Sequence, residues 1–518
     1  MTDSAADTAT NKSSPHVIVV IGGGLAGLTA AVQLAEIGLR PLLLEADPER
    51  LGGRLSGGAS VTLVHNGQQW SFPGEHGIHG VWGQYHNLRA LLKRTAPTTK
   101  MIAARREAWY LRSPAGHIQW SEGGSALRRS WIPAPFHYLA LFIRPRFLQM
   151  LTLRDLASMF RVLSGLLFAL AFDPAGEGDQ LHGLTLADYF RGWSPTLQAL
   201  FTGLARNFTS AHPEDVPQSG FIAFLRFYTL LRRDSWAFSY FERDSAHALI
   251  TPLADRLCAA GGSIQLGARV TTLARAGTGW QITWNNGEVY ADQVVLALDA
   301  PAARDLLSRC PDTNVQGLSW PLTIPTAVMR FWFSRTPRSA AEAGIFTGNF
   351  AIDNFFWLHR FQTPFIDWHA ATNGSAIEVH VYGPPELIRE PDAALLARAL
   401  LDLQRVWPEL RGALLQQSIR RNPDTHTLFS SDGELLAVQT PWSGLVACGD
   451  WVRYPHPSLY MERAVVTGIA AANAILLKFN QDQQPIQAAD PPEMLARWLQ
   501  NSLRWVRRRA RAYKRSRL

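Results

Sequence analysis

Three glycines stand at a spacing that does chemistry. Gly22, Gly24 and Gly27 form G-x-G-x-x-G between the apolar, β-branched run His16–Ile21 and the Ala/Leu-rich stretch that ends at Gly38. At a strand-to-helix turn, the first glycine permits a tight turn and the second lets a pyrophosphate approach the backbone. The third lets the helix pack on the strand. The helix start then presents free N–H groups and a positive dipole end to the phosphates. Glu45 closes the next apolar run, Leu39–Glu45, 18 residues after Gly27. A carboxylate there is placed to accept both hydroxyls of a ribose. Strand, helix, strand and terminal acid in register predict a dinucleotide site.

A second group of reactive types lies in FPGEHGIHGVWGQYHNLRALLKR, Phe72–Arg94. Glu75, His79 and Tyr85 are the candidates for moving protons or steadying charge; His76 and His86 accompany them. Structural histidines on a loop are an equally simple reading. No metal is expected, because nothing in the chemistry developed below needs one.

The elements that would carry these groups follow from the pattern. Gly261–Pro301 reads as short strands returning to a sheet, and Ser443–Leu476 as strand, loop and helix. Trp131–Phe172 is aromatic and Leu-rich, spaced by Arg144, Arg146, Arg154 and Arg161. Phe208–Tyr240 adds Phe221, Phe224, Phe227, Tyr228, Trp236, Phe238 and Tyr240. Both segments read either as helix packing or as the wall of an apolar tunnel.

Composition limits the partners. The 518 residues are 47% hydrophobic and 18% charged, which excludes a disordered chain and a polytopic membrane protein. Cys258, Cys310 and Cys448 are far apart, so no disulfide framework is expected and a reducing compartment is favoured. Residues 1–15 lack the features of a signal peptide and read as a disordered lead-in. Ser13–Ala35 is uncharged over 23 residues, long enough to span a bilayer, but its glycines already have the explanation above. The net charge is +8, yet residues 497–518 hold nine basic residues and no acid, which leaves the rest at −1. On a helical wheel, Leu495, Trp498, Leu499, Leu503, Trp505, Val506 and Tyr513 share one face. Arg497, Arg504, Arg507, Arg508, Arg511, Lys514 and Arg515 share the other, with Arg509 at the edge. This is the pattern of an interfacial helix on an anionic membrane surface. Arg517 lies beyond it. The near-neutral body argues against nucleic acid.

PERLGGRLSG, with Gly52, Gly53 and Arg54, resembles the second dinucleotide motif of the flavin amine oxidase superfamily. The Tyr460, Met461 and Glu462 run is similar to that superfamily's; Arg463 stands where its members carry glycine, which bears on how closely the backbone approaches the flavin. The resemblance implies an α/β fold: a Rossmann-like FAD-binding domain with a discontinuous, amine oxidase-like substrate domain. The cofactor would be FAD. Gly53 and Arg54 would meet its pyrophosphate, Val270 its adenine, Asp450 its ribityl or pyrophosphate part, and the helix at Met461 its flavin edge. Glu75–Arg94 and AIDNFFWLHR, Ala351–Arg360, resemble the carotene desaturase/methyltransferase branch, the isorenieratene synthase-like enzymes. Gly77, His79, Gln84, Tyr85, Asn87, Leu88 and Arg89 carry that likeness.

The expectation is an FAD-dependent desaturase of a long apolar isoprenoid, with possible ring aromatisation, cytoplasmic and peripherally attached to the membrane. An amine oxidase and a non-catalytic, membrane-attached flavin protein are the alternatives. No cysteine stands where relatives attach flavin covalently. The expected division is 16–95, 245–310 and 425–480 for FAD, 96–244 and 311–424 for substrate, 481–492 as a linker and 493–518 as a basic tail.

Overall fold

The computed structural model describes residues 16–515; side chains from Ala510 onward, and that of Ser235, lie outside the described residues. So do the lead-in and the side chains of Arg511, Tyr513, Lys514, Arg515 and Arg517. A five-stranded parallel sheet runs in the order Ser263–Gln265, Leu42–Leu44, Ile18–Ile21, Gln293–Leu296, Leu445–Ala447. Val20 registers with Leu43 on one side and Val295 on the other. The first strand is buried throughout, as a parallel strand covered on both faces must be. Helices Leu25–Glu36 and Tyr460–Lys478 pack on it side by side. An antiparallel three-stranded sheet, Val270–Ala276, Gly279–Trp284 and Gly287–Ala291, attaches through Leu273, Trp280 and Ile282.

A second, seven-stranded mixed sheet is ordered Leu414–Thr427, Thr323–Phe333, Ser375–Val381, Asn354–Trp357, Ala343–Gly348, Glu107–Arg112, Ile118–Glu122. Its central strands are buried on both faces, with Phe331, Phe333, Ile377 and Val379 in one core. The hairpin Gly58–His65 with Gln68–Gly74 departs from the sequence expectation. It precedes residue 95, yet Leu63 and Phe72 pack with Trp332, Phe365 and Trp368 of the second sheet's side. Phe72 stacks on Phe365 at 4.6 Å. The aromatic ring decides the partner, because the parallel sheet offers no free face.

Residues 481–492 contain no helix or strand, but they are not a loose linker. Asn87 exchanges hydrogen bonds with the Gln487 backbone, Gln84 with Asp490, and Arg232 donates to the Asp490 carbonyl. The basic helix Met494–Arg515 is also docked, against helix Leu153–Ala171. Leu499 and Leu503 pack on the core, and Arg504 donates to the Ala171 and Phe172 carbonyls. The face predicted to be apolar is therefore split. Its leucines are spent on the body, while Trp498, Trp505 and Val506 stay more than half exposed. Helix Tyr460–Lys478 is long and apolar enough to cross a membrane by composition, but 83% of its apolar window is buried in the protein.

Candidate functional site

A cavity of about 960 Å³ runs between the two sheets. At one end, its wall is the turn after the first strand. A Cβ on Gly22 would meet the Ala297 carbonyl oxygen at 2.5 Å, and one on Gly27 would lie 2.0 Å from the Gly22 carbonyl oxygen. Gly24 faces open space, and a methyl on Gly53 would stand 3.7 Å from Gly24 Cα across the cradle. The Gly23 and Asp47 N–H groups donate to the two oxygens of Glu45 at 2.7 and 2.8 Å. Those bonds orient the carboxylate and leave acceptor capacity for a diol. Val270, Arg54, Asp450 and Met461 line the same wall. Arg54 Nη2 donates to Asp450 Oδ2 at 2.6 Å, a pairing that joins two motifs 396 residues apart. Burial alone would lower the Arg54 pKa; the adjacent Asp450 carboxylate reverses that and raises it. Cys448 is buried one residue past its strand, with its thiol pushed up by burial.

Helix geometry answers the question of Arg463. Tyr460, Met461 and Ala464 face the cavity. Glu462 turns away and accepts from the Asn87 and Leu88 N–H groups. Arg463 also turns away and donates to the carbonyls of Val452, His456 and Ser458. Its bulk is used to brace a loop, so the larger residue leaves the cavity open.

The middle of the cavity is crossed by the loop at His76–Gly80. Glu378 accepts from the Ile78 N–H at 2.7 Å, Asn422 donates to the His76 carbonyl, and Arg330 donates to the Pro73 carbonyl. His79 lines the cavity with a buried, unpartnered Nδ1. Burial and the Arg54 cation pull it to about 4, so it is neutral at pH 7. Burial and His79 push His76 to about 2. His86 leaves the group and pairs with Asp490 at the surface. Tyr85 lines the cavity and shares a 2.6 Å hydrogen bond with Tyr228.

Glu75 requires a correction. It lies behind the loop, not on the lining. Its oxygens accept from the Ser245 N–H and hydroxyl and from Gln362 Nε2, with Arg330 at 3.7 Å. Burial raises it to about 7 despite Arg330. These contacts tie the start of the loop to the Ser245 and Gln362 segments.

The far end is aromatic. Trp82, Phe208, Phe224, Tyr228, Phe238 and Phe356 line it. Of the aromatic run singled out in the sequence, Phe221 and Phe227 fall in the core instead. His380, Tyr382, Asn354 and Asn207 also line this end, and sequence reasoning missed them. The available signal was alternation in Ser375–Tyr382, where Glu378, His380 and Tyr382 interrupt an apolar strand at every second residue.

A sequence-family comparison bears on this geometry. Residues 25–476 match the family described as flavin containing amine oxidoreductase. The chain belongs to the flavin-containing amine oxidoreductase family. This flavoenzyme is an FAD-dependent oxidoreductase, and the glycine cradle, Glu45 and the Arg54–Asp450 pair fit that cofactor. It is 29% identical over 488 residues to a carotenoid phi-ring synthase of Streptomyces griseus, covering 89% of this chain and 87% of that one. It is 22% identical to a 15-cis-phytoene desaturase of Arabidopsis thaliana, covering 94% and 85%. Among solved structures, cyclohexylamine oxidase from Brevibacterium oxydans aligns with a TM-score of 0.66 at 15% identity, covering 90% of this chain and all of that one. That likeness shows the fold alone.

Proposed function

We propose that this flavoenzyme desaturates the β-ring of a carotenoid, with methyl migration to an aromatic ring, at a membrane surface. The observation that carries the reading is the aromatic far end of the cavity, where the carboxylate on the wall, Glu107, is already ion-paired with Arg128 at 2.7 Å. An amine substrate would need an uncommitted acid or a tight aromatic cage; a hydrocarbon needs apolar area, at about 25 cal/mol per Å² buried. The likeness to phi-ring synthases supports the same reading. Bound FAD supplies the acceptor for a hydride leaving an allylic carbon. The residues do the rest. Trp82, Phe224 and Tyr228 turn ring faces and edges to a substrate whose positive charge grows as hydride leaves, and ring faces stabilise cations. Holding the C–H bond in line is itself a large part of the rate. Neutral His79 lines the wall beside these rings, and Tyr85 with Tyr228 braces it.

A second apolar cavity of about 240 Å³ shares Trp109 and Leu204 with the main one. Its outer lining includes Leu139, Phe160 and Leu163, which are roughly half exposed or more. Trp131, Ile143 and Leu153 are also exposed in this segment. With Arg144, Arg146 and Arg154 interspersed, these residues and Trp498 and Trp505 of the C-terminal helix favour docking on an anionic bilayer. A substrate dissolved in that bilayer would enter there.

Anaerobic addition of a β-ring carotenoid should bleach the bound flavin in one two-electron step, and mass analysis after turnover with an added electron acceptor should find the aromatic product, whose ring needs two such steps. Bleaching by an amine instead would establish the amine oxidase reading. Bleaching by neither would leave a flavin-binding protein without turnover.

A further inference from the structure

Behind the substrate end of the cavity, one strand of the second sheet carries three polar side chains on the same face. Glu378 and His380 are buried within Ser375–Val381, and Tyr382 follows at its end. His380 Nε2 lies 2.7 Å from Glu378 Oε1, and His380 Nδ1 lies 2.6 Å from the Tyr382 hydroxyl. Glu378 also accepts from Arg330 Nε at 2.7 Å and from the Ile78 N–H. Burial would raise its pKa, but the Arg330 cation and the His380 hydrogen bond override this and hold it down at about 2. The carboxylate is therefore ionised and only accepts. That places a hydrogen on His380 Nε2; with the imidazole neutral, Nδ1 accepts and the Tyr382 hydroxyl donates to it. Asn354 Nδ2 in turn donates to the Tyr382 oxygen at 2.9 Å. The phenol is kept neutral by burial. Both Tyr382 and His380 line the cavity, and a Cβ on Gly77 of the central loop would lie 3.3 Å from His380 Cε1.

We propose that Tyr382 is a catalytic residue whose hydroxyl takes a proton from the substrate ring and passes its own hydrogen to His380, with Glu378 as the positioning residue. The inference rests on the carotenoid-ring reading above. The C–H bond next to the site of hydride loss breaks, and its electron pair forms the ring C=C. The proton bonds to the Tyr382 oxygen as the Tyr382 hydrogen moves to His380 Nδ1. Tyrosine ends as phenol and histidine as imidazolium paired with Glu378. FAD, when bound, would supply the acceptor for the hydride. An aromatisation needs a proton sink close to the ring, and an imidazole backed by a buried carboxylate is a stronger sink than an isolated buried histidine. The groups facing this relay are Arg330 on the neighbouring strand, and Asp353 with Arg206 near Tyr382. His79 on the loop, His212 beside Gly383, and Tyr460 complete the set.

The test uses the FAD-loaded full chain and a β-ring carotenoid without oxygen, with flavin bleaching followed in H2O and in D2O. Wild type should bleach more slowly in D2O, because the Tyr382 hydrogen moves in the step. Tyr382→Phe should retain FAD, bleach roughly 10²-fold more slowly and lose the solvent isotope effect. Glu378→Gln should retain FAD, slow bleaching and change the solvent isotope effect; a merely structural role would not change it. Glu378 also holds Ile78, so FAD content is measured first. Where FAD is lost, Tyr382→Phe, whose hydroxyl bonds no part of the loop, decides alone. A Tyr382→Phe enzyme that bleaches at the wild-type rate with an unchanged isotope effect overturns the relay alone. Wild type that never bleaches with the carotenoid overturns the substrate reading and the relay together.

Discussion

At the flavin end of the cavity, Gly22, Gly24, Gly27 and Glu45 come from one strand–helix–strand unit, and its glycines leave backbone as the wall. At the aromatic end, Trp82, Phe208, Phe224, Phe356 and Tyr382 come from separate segments, and side chains make up most of the wall. The first end works by leaving atoms out. Its tolerances are carbonyl-to-carbon distances that no side chain can share. The second works by filling space with rings, so one ring can be exchanged for another apolar group at moderate cost. Damage to the first should therefore remove the cofactor. Damage to the second should spare the cofactor and slow the reaction.

The largest expected effect is at Gly27. Gly27→Ala places a methyl against the Gly22 carbonyl at 2.0 Å, and rigid backbone cannot give way. We expect loss of about 3 kcal/mol or more of stability and failure to retain FAD, read by thermal unfolding and flavin absorbance. Arg54→Ala comes next. It leaves Asp450, whose side chain is 9% exposed, without its ion-pair partner. A loss of about 2–4 kcal/mol and a weaker FAD affinity are expected, measured by titrating FAD into the apoprotein. Full FAD affinity in this variant would break the comparison.

Trp82→Leu probes the opposite end. Trp82 sits edge-on to Tyr228 at 5.1 Å and to Phe208 at 5.5 Å. The variant should keep its FAD and lose roughly tenfold in bleaching rate, about the cation–π contribution of one ring. Equal loss of FAD would show that the two ends are not separable.

The smallest effect sharpens the role given to Glu75. Its folded-state pKa is raised to about 7 from 4.5 by burial. Raised in the folded state, the group favours folding below its unfolded pKa, and that contribution is lost as pH rises through about 7. Glu75→Gln should flatten the dependence of unfolding free energy on pH between those values. The Gln362 amide, whose Oε1 has no partner, can turn to accept from the new amide. A Glu75→Gln enzyme that keeps FAD but loses all activity would return Glu75 to the reacting groups.

Local rules carried the flavin end. A tight turn, a helix start and a strand-end carboxylate depend on neighbours within a few residues, so Gly22, Gly24, Gly27 and Glu45 were legible from spacing. Gly53, Arg54, Val270, Asp450 and Met461 were legible only through resemblance, because the sheet order that unites them is set by long-range pairing. His79 and Tyr85 were recognised as reactive types beside the cavity, but residue type could not separate them from Glu75. That separation depends on which way each side chain leaves a loop, and Arg330, Glu378 and Asn422, all distant in sequence, hold that loop.

The C-terminal helix shows the same division. Its amphipathic wheel was plain in the sequence, since period and residue type are local properties. Which part of its apolar face goes to the body and which to the surroundings was decided by docking. Leu499 and Leu503 found a core to cover, and Trp498 and Trp505 did not. The sequence by itself determined the cofactor cradle, the chemistry class and the amphipathic elements. Only the tertiary structure determined the Glu378–His380–Tyr382 alignment with the cavity, the retreat of Glu75, and the docked tail. Each of these depends on contacts between segments hundreds of residues apart, whose geometry exists only once the two sheets have closed on the cavity.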